Sequence, residues 1–232
     1  LTCQSNRFRD DSTNNFTITR NGDVSVQRFS PFSPTAAYAA GTIGGSGYFD
    51  GTGDYLGIPS TSALAFGTGD FCVEAWVYFN ATPASDYIIT NITNSNTQFS
   101  FRIDGSNFPK LAGWLTNYLI SNTAVTIGQW HHLAVCRVSS TASLYLNGTR
   151  TATGTVTNNF SSTDAMTVGQ GSDGGALNGY IADLRAIKGS SPYDPTQTSI
   201  TVPTAPLTAI TNTSLLLNFQ NAAILDNAMM ND

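Results

Sequence analysis

Apolar and polar residues alternate along most of the chain. Phe99, Phe101 and Ile103 alternate with Ser100 and Arg102, and this period of two is typical of a β-strand with one face in the core and one toward water. The same reasoning predicts strands at 15–20, 24–29, 47–50, 54–58, 71–79, 86–91, 98–104, 130–138, 143–147, 166–169, 178–187 and 214–219. No segment longer than about eight residues keeps a helical period. The pattern therefore predicts a protein built from strands.

Turn signals separate many of these strands. They pair glycine with asparagine or aspartate, at Asn21-Gly22, Asp50-Gly51, Gly53-Asp54, Asp104-Gly105 and Asn178-Gly179. Short strands joined by such turns are typical of antiparallel sandwiches and jelly rolls. We therefore predict an all-β, antiparallel two-sheet sandwich of the jelly-roll type, with essentially no helix.

Composition supports this prediction and excludes two functions. Only 11% of the 232 residues are charged, against about 25% in ordinary soluble domains, and the lysine and glutamate that helix surfaces favour are nearly absent. The formal charge of −5 without basic runs argues against nucleic acid as a partner. No apolar run reaches the roughly 20 residues that a membrane helix needs, so we predict no membrane association.

The three cysteines, Cys3, Cys72 and Cys136, are odd in number and far apart. Because three cysteines cannot all pair with one another, we expect at least one free thiol. Secreted domains, in contrast, usually pair their cysteines. We interpret all three as small, semi-buried apolar residues of a protein made in a reducing compartment.

Two features bear on domain organisation. A proline-containing stretch at 30–35, followed by Ala- and Gly-rich residues, predicts a long loop. We therefore expect an N-terminal β-hairpin and linker over residues 1–40, and a jelly roll with a C-terminal edge strand over 41–232. Residues 215–227 faintly resemble residues 1–11, which would suit one unit of a longer array of such domains.

Several segments carry a family resemblance. In chain order they are Gly47–Leu56, Gly69–Tyr78, Gln129–Val135, Leu144–Gly148 and Asn178–Arg185. Together they resemble a laminin-G-like domain of the concanavalin A-like superfamily, which implies two curved antiparallel sheets packed face to face. In style the chain also resembles such domains in tail-fibre and capsid-appendage proteins of bacteriophages, notably those of marine cyanobacteria.

The resemblance includes glycosidases, so we considered an enzyme. Glycoside hydrolysis usually needs two carboxylates about 5–9.5 Å apart, whereas Glu74 stands alone on its strand. His131 and His132 are adjacent and must point to opposite faces of a strand, so they cannot bind one metal together. Trp130 is interpreted as a core anchor. We predict a protein without catalytic residues.

Binding chemistry is expected on the strand that contains Glu74, Trp76 and Tyr78, which share one face, with Arg102 on the polar face of a nearby strand. Two interpretations remain open. Glu74 and Arg102 form a cross-strand ion pair, or the four residues form a shallow sugar-binding groove, in which aromatic rings and directed hydrogen bonds hold the ligand.

No cofactor is required by these observations, but the family resemblance implies a structural calcium. In it, Asp183 on the last core strand would join Asp50 and Gly51 in an early turn. The alternative roles for Asp183 are an interaction with Arg185 or with the backbone.

From these features we expect a non-catalytic virion structural protein, a phage fibre or capsid decoration, at the virion surface after assembly in the host cytoplasm. Its partners would be other virion proteins, copies of itself and a surface glycan. The alternative is a secreted, extracellular carbohydrate-binding adhesion module.

Overall fold

The computed structural model describes residues 8–27, 29–32, 44–92 and 95–219. These residues form two antiparallel sheets. The seven-stranded sheet has the order β1 (Thr19–Asn21), β4 (Tyr55–Ile58), β13 (Met166–Val168), β6 (Ser85–Asn91), β7 (Ser100–Asp104), β8 (Pro109–Ala112) and β9 (Asn117–Ile120). The eight-stranded sheet has the order β12 (Thr149–Thr155), β11 (Thr141–Leu146), β10 (Trp130–Val138), β5 (Phe71–Phe79), β14 (Asn178–Lys188), β3 (Ser46–Asp50) and β2 (Ser25–Gln27), and β15 (Thr213–Leu217) also pairs with β14.

The core lies between the two sheets and follows the predicted alternation. On β5, Val73 and Val77 face inward and are fully buried, as are Phe101 and Ile103 on β7. Helix among the described residues is limited to one short 3₁₀ turn at Ser62–Leu64, and none is long and apolar enough to cross a membrane. The all-β sandwich is confirmed.

The two strands of the described N-terminal segment do not pair with each other. β1 pairs with β4 in the seven-stranded sheet, and β2 pairs with β3 in the eight-stranded sheet. Between them Val24 is fully buried in the core, because the chain crosses there from one sheet to the other. Residues 33–43, which include most of the predicted linker, and most of the resemblance between the two ends of the chain lie outside the described residues.

The start of the described chain is fastened to the sandwich by Asp10, which is almost fully buried. Its Oδ1 accepts hydrogen bonds from the backbone N–H groups of Ser12 and Leu216, both at 2.9 Å. Its Oδ2 accepts from the Ser12 hydroxyl at 2.8 Å and the Phe16 N–H at 3.0 Å. A buried carboxylate with four donors is fully satisfied, and here it joins the N-terminal segment to β15.

The expectation of unpaired cysteines must be corrected for two of the three. Cys72 on β5 lies directly opposite Cys136 on β10, and the two form a disulfide. They are 64 residues apart in sequence, so only the register between the strands brings them together. Cys3 lies outside the described residues.

Candidate functional site

Glu74, one of the predicted sugar-binding residues, is buried in a polar network on the outer face of the eight-stranded sheet. Its Oε1 accepts a hydrogen bond from Nε of Arg185 at 3.0 Å. Its Oε2 accepts from the Tyr193 hydroxyl at 2.8 Å and is 3.1 Å from Nε2 of His132. The predicted pair between Glu74 and Arg102 is therefore wrong, because Arg185 and His132 take that place.

The network keeps Glu74 ionised. Burial alone would raise the pKa of Glu74, but the hydrogen bond from His132 and the charge of Arg185 outweigh it and lower the pKa below its ordinary value. Burial also raises the pKa of Tyr193, and the neighbouring Glu74 carboxylate adds to that shift. The Tyr193 hydroxyl is therefore a stable hydrogen-bond donor to an anion.

Residues 190–212, here called the strap, cover this part of the sheet. The hydroxyl groups of Ser143 and Tyr145 donate to the carbonyls of Pro195 and Gln197, at 2.6 and 3.0 Å. Nη1 of Arg185 donates to the Thr208 carbonyl at 3.0 Å. Since the chain's own strap seals Glu74 from solvent, Glu74 cannot contact an external ligand in this conformation.

An aromatic row crosses another part of the same face, which lies apart from the network around Glu74. Trp130, Tyr78, Tyr180 and Tyr48 lie side by side on β10, β5, β14 and β3. Phe29 packs over the row, with its ring centroid 4.9 Å from Tyr78, 4.9 Å from Tyr180 and 5.1 Å from Trp130. The interpretation of Trp130 as a core anchor is wrong, because it lies on the outer face, and the predicted Tyr78 is half covered by Phe29.

Trp76 lies next to the row, on the same strand as Tyr78. Its ring centroid is 5.4 Å from that of His132 and 5.9 Å from that of Phe32. Trp76 thus packs against two rings while it stays partly exposed, and it shares the outer face with Tyr78 and Glu74 as predicted.

Arg102, the fourth predicted residue, belongs to the other sheet. Its Nη1 donates to the Tyr87 hydroxyl at 2.9 Å, and the Tyr87 hydroxyl donates to Asp173 at 2.7 Å. Burial raises the pKa of Tyr87 to about 12, so the hydroxyl keeps its proton. The structure therefore does not bring Arg102 together with Glu74, Trp76 and Tyr78.

The predicted calcium ligands also lie apart. Asp50 is paired with Asn178 at the start of β14, and Asp183 is five residues further along, about 16 Å away. The Asp50 carboxylate accepts from the Thr52 N–H at 2.6 Å beside Gly51. Among the described residues no group of three or more His, Cys, Asp or Glu side chains could hold a metal. Asp50, Gly51 and Asp183 therefore do not come together in one calcium site.

Asp183 is instead a buried carboxyl at a β-bulge. It adopts a left-handed backbone conformation, φ 50°, where the register between β14 and β5 shifts. Its Oδ1 accepts from the Leu207 N–H at 2.9 Å, and its buried Oδ2 has no hydrogen-bond partner among the described residues. Burial raises the pKa of Asp183 to about 8. The expected backbone role is thus seen, through Leu207.

A groove of about 600 Å³ lies on the outer face of the seven-stranded sheet, across β1, β4 and β13. Its described lining residues are Thr17, Thr19, Asn21, Tyr55, Gly57, Ile58, Pro59, Ile92, Ala165, Met166, Thr167, Gln170, Gly171 and Ser172. Hydroxyl, amide and apolar groups are mixed along it, and none of these residues is charged.

Gly57 forms the floor of this groove. It pairs with Thr19 on one side and Thr167 on the other. A Cβ at Gly57 would lie 3.6 Å from Nδ2 of Asn21 and 3.7 Å from the Thr19 carbonyl, which is ordinary van der Waals contact. Packing therefore does not require glycine here, but its missing side chain leaves the floor open beside the Tyr55 ring.

The 170–173 segment forms one wall of the groove and rests on Tyr87. A Cβ at Gly171 would lie 2.2 Å from the Tyr87 ring, so only glycine allows this approach. Asp173 accepts hydrogen bonds from the Tyr87 hydroxyl and from the Gly175 N–H, the latter at 3.1 Å. Arg102, through Tyr87, thus helps to hold a wall of the groove without lining it.

Sequence reasoning missed the groove. The sequence does place Tyr55, Gly57 and Pro59 at every second position, in and directly after β4, so that they share one face. Their partners Thr19 and Asn21 could not be assigned, because pairing of β1 with β4 is a long-range feature.

Residues 50–190 match the model of the concanavalin A-like lectin/glucanases superfamily, of the laminin G type. The chain belongs to this superfamily. The match covers more than half of the chain and confirms the expected resemblance. No curated protein matches this concanavalin A-like chain.

Solved structures with the same fold share little sequence with this concanavalin A-like chain. Domain 4 of an extracellular arabinanase from Geobacillus stearothermophilus, solved with arabinotriose, has a TM-score of 0.55 at 20% identity, over 77% of this chain and 87% of that chain. Botulinum neurotoxin type C, whose cell entry depends on two ganglioside molecules, has a TM-score of 0.59 at 15% identity, over 84% and 48%. A candidate carbohydrate-binding protein from Bacteroides ovatus has a TM-score of 0.58 at 15% identity, over 76% of this chain and about half (52%) of its own length.

We expect Glu74→Gln to lower the free energy of unfolding by about 3 kcal/mol, because it leaves the buried Arg185 without its counter-charge. Tyr193→Phe removes a single hydrogen bond to the same carboxylate and should cost about 1.5 kcal/mol. Urea denaturation at pH 7 measures both. A loss below about 1 kcal/mol for Glu74→Gln would contradict a buried, paired carboxylate.

We expect Asp183→Asn to stabilise the protein increasingly as pH rises from about 4 to about 8. In the wild type the folded-state pKa of about 8 exceeds the ordinary value of 3.8, so the folded state holds a proton that the unfolded state has lost, and stability falls across this window. Thermal unfolding of both proteins at one-unit pH steps measures the difference. A difference independent of pH would show that Asp183 ionises normally in the fold.

Proposed function

We propose that this concanavalin A-like domain binds carbohydrate, without catalysis, in the groove across β1, β4 and β13. The observation that carries the proposal is the groove itself. Its volume of about 600 Å³ falls within the 300–1,000 Å³ typical of small-ligand sites. It is open to solvent on a sheet face, whereas the strap closes the face that holds Glu74.

The lining suits a sugar. The ring of Tyr55 offers an apolar surface for the C–H face of a pyranose or furanose, with a polar tip. Asn21, Thr19 and Gln170 can donate and accept the hydrogen bonds that sugar hydroxyls make. The Thr167 hydroxyl donates to the Gln170 carbonyl at 2.5 Å, which orients its lone pairs as an acceptor.

The same lining supports a binding rather than a hydrolytic role. Glycosidases typically place two carboxylates about 5–9.5 Å apart across the scissile bond. None of the described lining residues is Asp or Glu, and Glu74 is engaged with Arg185 and His132 under the strap.

The structural neighbours add support of a general kind. One neighbour was solved with an arabinose trisaccharide, and another protein of the same fold enters cells through gangliosides. Their low sequence identity with this chain transfers the fold alone, so the proposal depends on the groove.

We expect Gly57→Val to abolish binding of a neutral oligosaccharide by filling the groove floor, with at least a tenfold loss of affinity. The substitution should leave the fold intact, because valine favours strands and a Cβ fits at this position. Titration calorimetry against a panel that includes arabinotriose and cello- and xylo-oligosaccharides measures the effect.

The matched control is Gly69→Ala, where a Cβ would lie 3.7 Å from the Phe66 carbonyl, away from the groove. It should leave both affinity and melting temperature near the wild-type values. Absence of binding to every sugar in the panel, or equal binding by Gly57→Val, would overturn the proposed site.

We further propose that the domain serves in a virion appendage, as a phage fibre or capsid decoration. The support is compositional, namely the sparse charge and the Ser-, Thr- and Asn-rich surface. In such a particle the partners would be other virion proteins and further copies of the chain, with the groove available to a host-surface glycan. Immunogold imaging and mass spectrometry of purified particles should find the chain in the virion, and a chain found only as a free monomer would count against this role.

A secreted adhesion module is the second candidate, and one observation favours it. The disulfide between Cys72 and Cys136 is typical of proteins that mature in oxidising compartments. The intact mass of protein from its natural source, measured with and without alkylation, shows whether Cys72 and Cys136 are paired. Paired cysteines favour the secreted module, and reduced cysteines favour cytoplasmic assembly.

A further inference from the structure

The described lining residues of the proposed glycan groove carry no charge, although charged side chains lie close to them. We propose that the groove selects uncharged saccharides and rejects sialylated or sulphated ones. This inference rests on the proposed function and names the chemical class of its ligand.

The first support is the lining. Its polar groups come from Tyr55, Asn21, Gln170, Ser172 and a group of threonines. Hydroxyl and amide groups exchange hydrogen bonds with sugar hydroxyls in both directions. An anionic substituent instead needs a cation or several N–H donors when it leaves water, and an unpaired buried charge is strongly unfavourable.

The second support is that the described cations on this side of the molecule either have a local partner or point away from the groove. Arg9 lies opposite Thr17 at the end of the groove, but its Nε is 2.9 Å from the Asp11 carboxylate. On the same sheet, Arg102 bonds the Tyr87 hydroxyl. These cations therefore have local partners and do not line the groove.

Lys110, on the neighbouring strand β8, is likewise engaged, since its Nζ is 2.8 Å from the Asp104 carboxylate. On β1, Arg20 is exposed, but it alternates with the lining residues Thr19 and Asn21 and therefore points to the opposite face of the strand.

The third support is the rim. Asp164 directly precedes the lining residue Ala165, and Asp173 directly follows Ser172, and both aspartates are exposed. Together with the net charge of −5, they place negative potential at the entrance. Like charges within a Debye length of about 8 Å repel at physiological salt, so an acidic glycan is disfavoured before it makes contact.

The experiment compares matched sugar pairs on the intact chain. N-acetyllactosamine is titrated beside its 3′-sialyl and 6-sulpho derivatives, and cellotetraose and arabinotriose are titrated beside their sulphated forms. Each titration is repeated with Gly57→Val, because binding in the groove should be lost in that variant. We expect at least one neutral sugar to bind, and its acidic form to bind at least fivefold more weakly.

The outcomes separate this inference from the proposed function. Equal or tighter binding of an acidic form, lost in Gly57→Val, would overturn neutral selectivity and leave the glycan site standing. Binding of none of these sugars would overturn the proposed function and this inference with it.

A charge substitution gives a second, independent test. Thr19 is an exposed lining residue on the edge strand β1, so Thr19→Lys should fold normally. We expect the substitution to strengthen binding of the acidic sugar, relative to the neutral one, by about fivefold, which is the effect of one cation near 4 Å. This gain should become smaller in 0.5 M salt. Thr19→Gln adds a side chain of similar length without charge and should leave the ratio of the two affinities unchanged. The same ratio in Thr19→Lys as in the wild type would show that charge in the groove does not set selectivity.

Discussion

The buried ion pair between Glu74 and Arg185 decides which surfaces of this sandwich can meet a ligand. Two charges removed from water are tolerated only when their remaining hydrogen-bonding groups are satisfied. Here His132, Tyr193 and the carbonyl of Thr208 supply those partners. Tyr193 and Thr208 belong to the strap. The two buried charges are therefore satisfied only when the strap lies over the eight-stranded sheet.

The two outer faces of the sandwich are covered to different extents. On the eight-stranded sheet, the strap covers the charged network and Phe29 packs on the aromatic row. On the seven-stranded sheet, small and polar residues around Gly57 leave a groove. A superfamily that hosts both lectins and glucanases can present either chemistry on such a face, and the absence of carboxylates from the described lining is the reason for proposing binding.

Residue-level predictions succeeded where the chemistry is local to one strand. The shared face of Glu74, Trp76 and Tyr78 followed from the period of two, and so did the opposite directions of His131 and His132. The predictions failed where they needed strand order. Arg102 was placed beside Glu74 because their strands are near in sequence, yet β5 and β7 lie in different sheets.

The amino-acid sequence by itself determined the all-β class, the inward and outward faces of the strands, and the superfamily, because these depend on side-chain period and on contiguous motifs. Only the tertiary structure decided the disulfide between Cys72 and Cys136, the partner of Glu74, the separation of Asp183 from Asp50, and the groove above Gly57. Each of these depends on which strands become neighbours and in which register. Register is a property of hydrogen bonds between residues far apart in the chain, and a one-residue shift would change every pair.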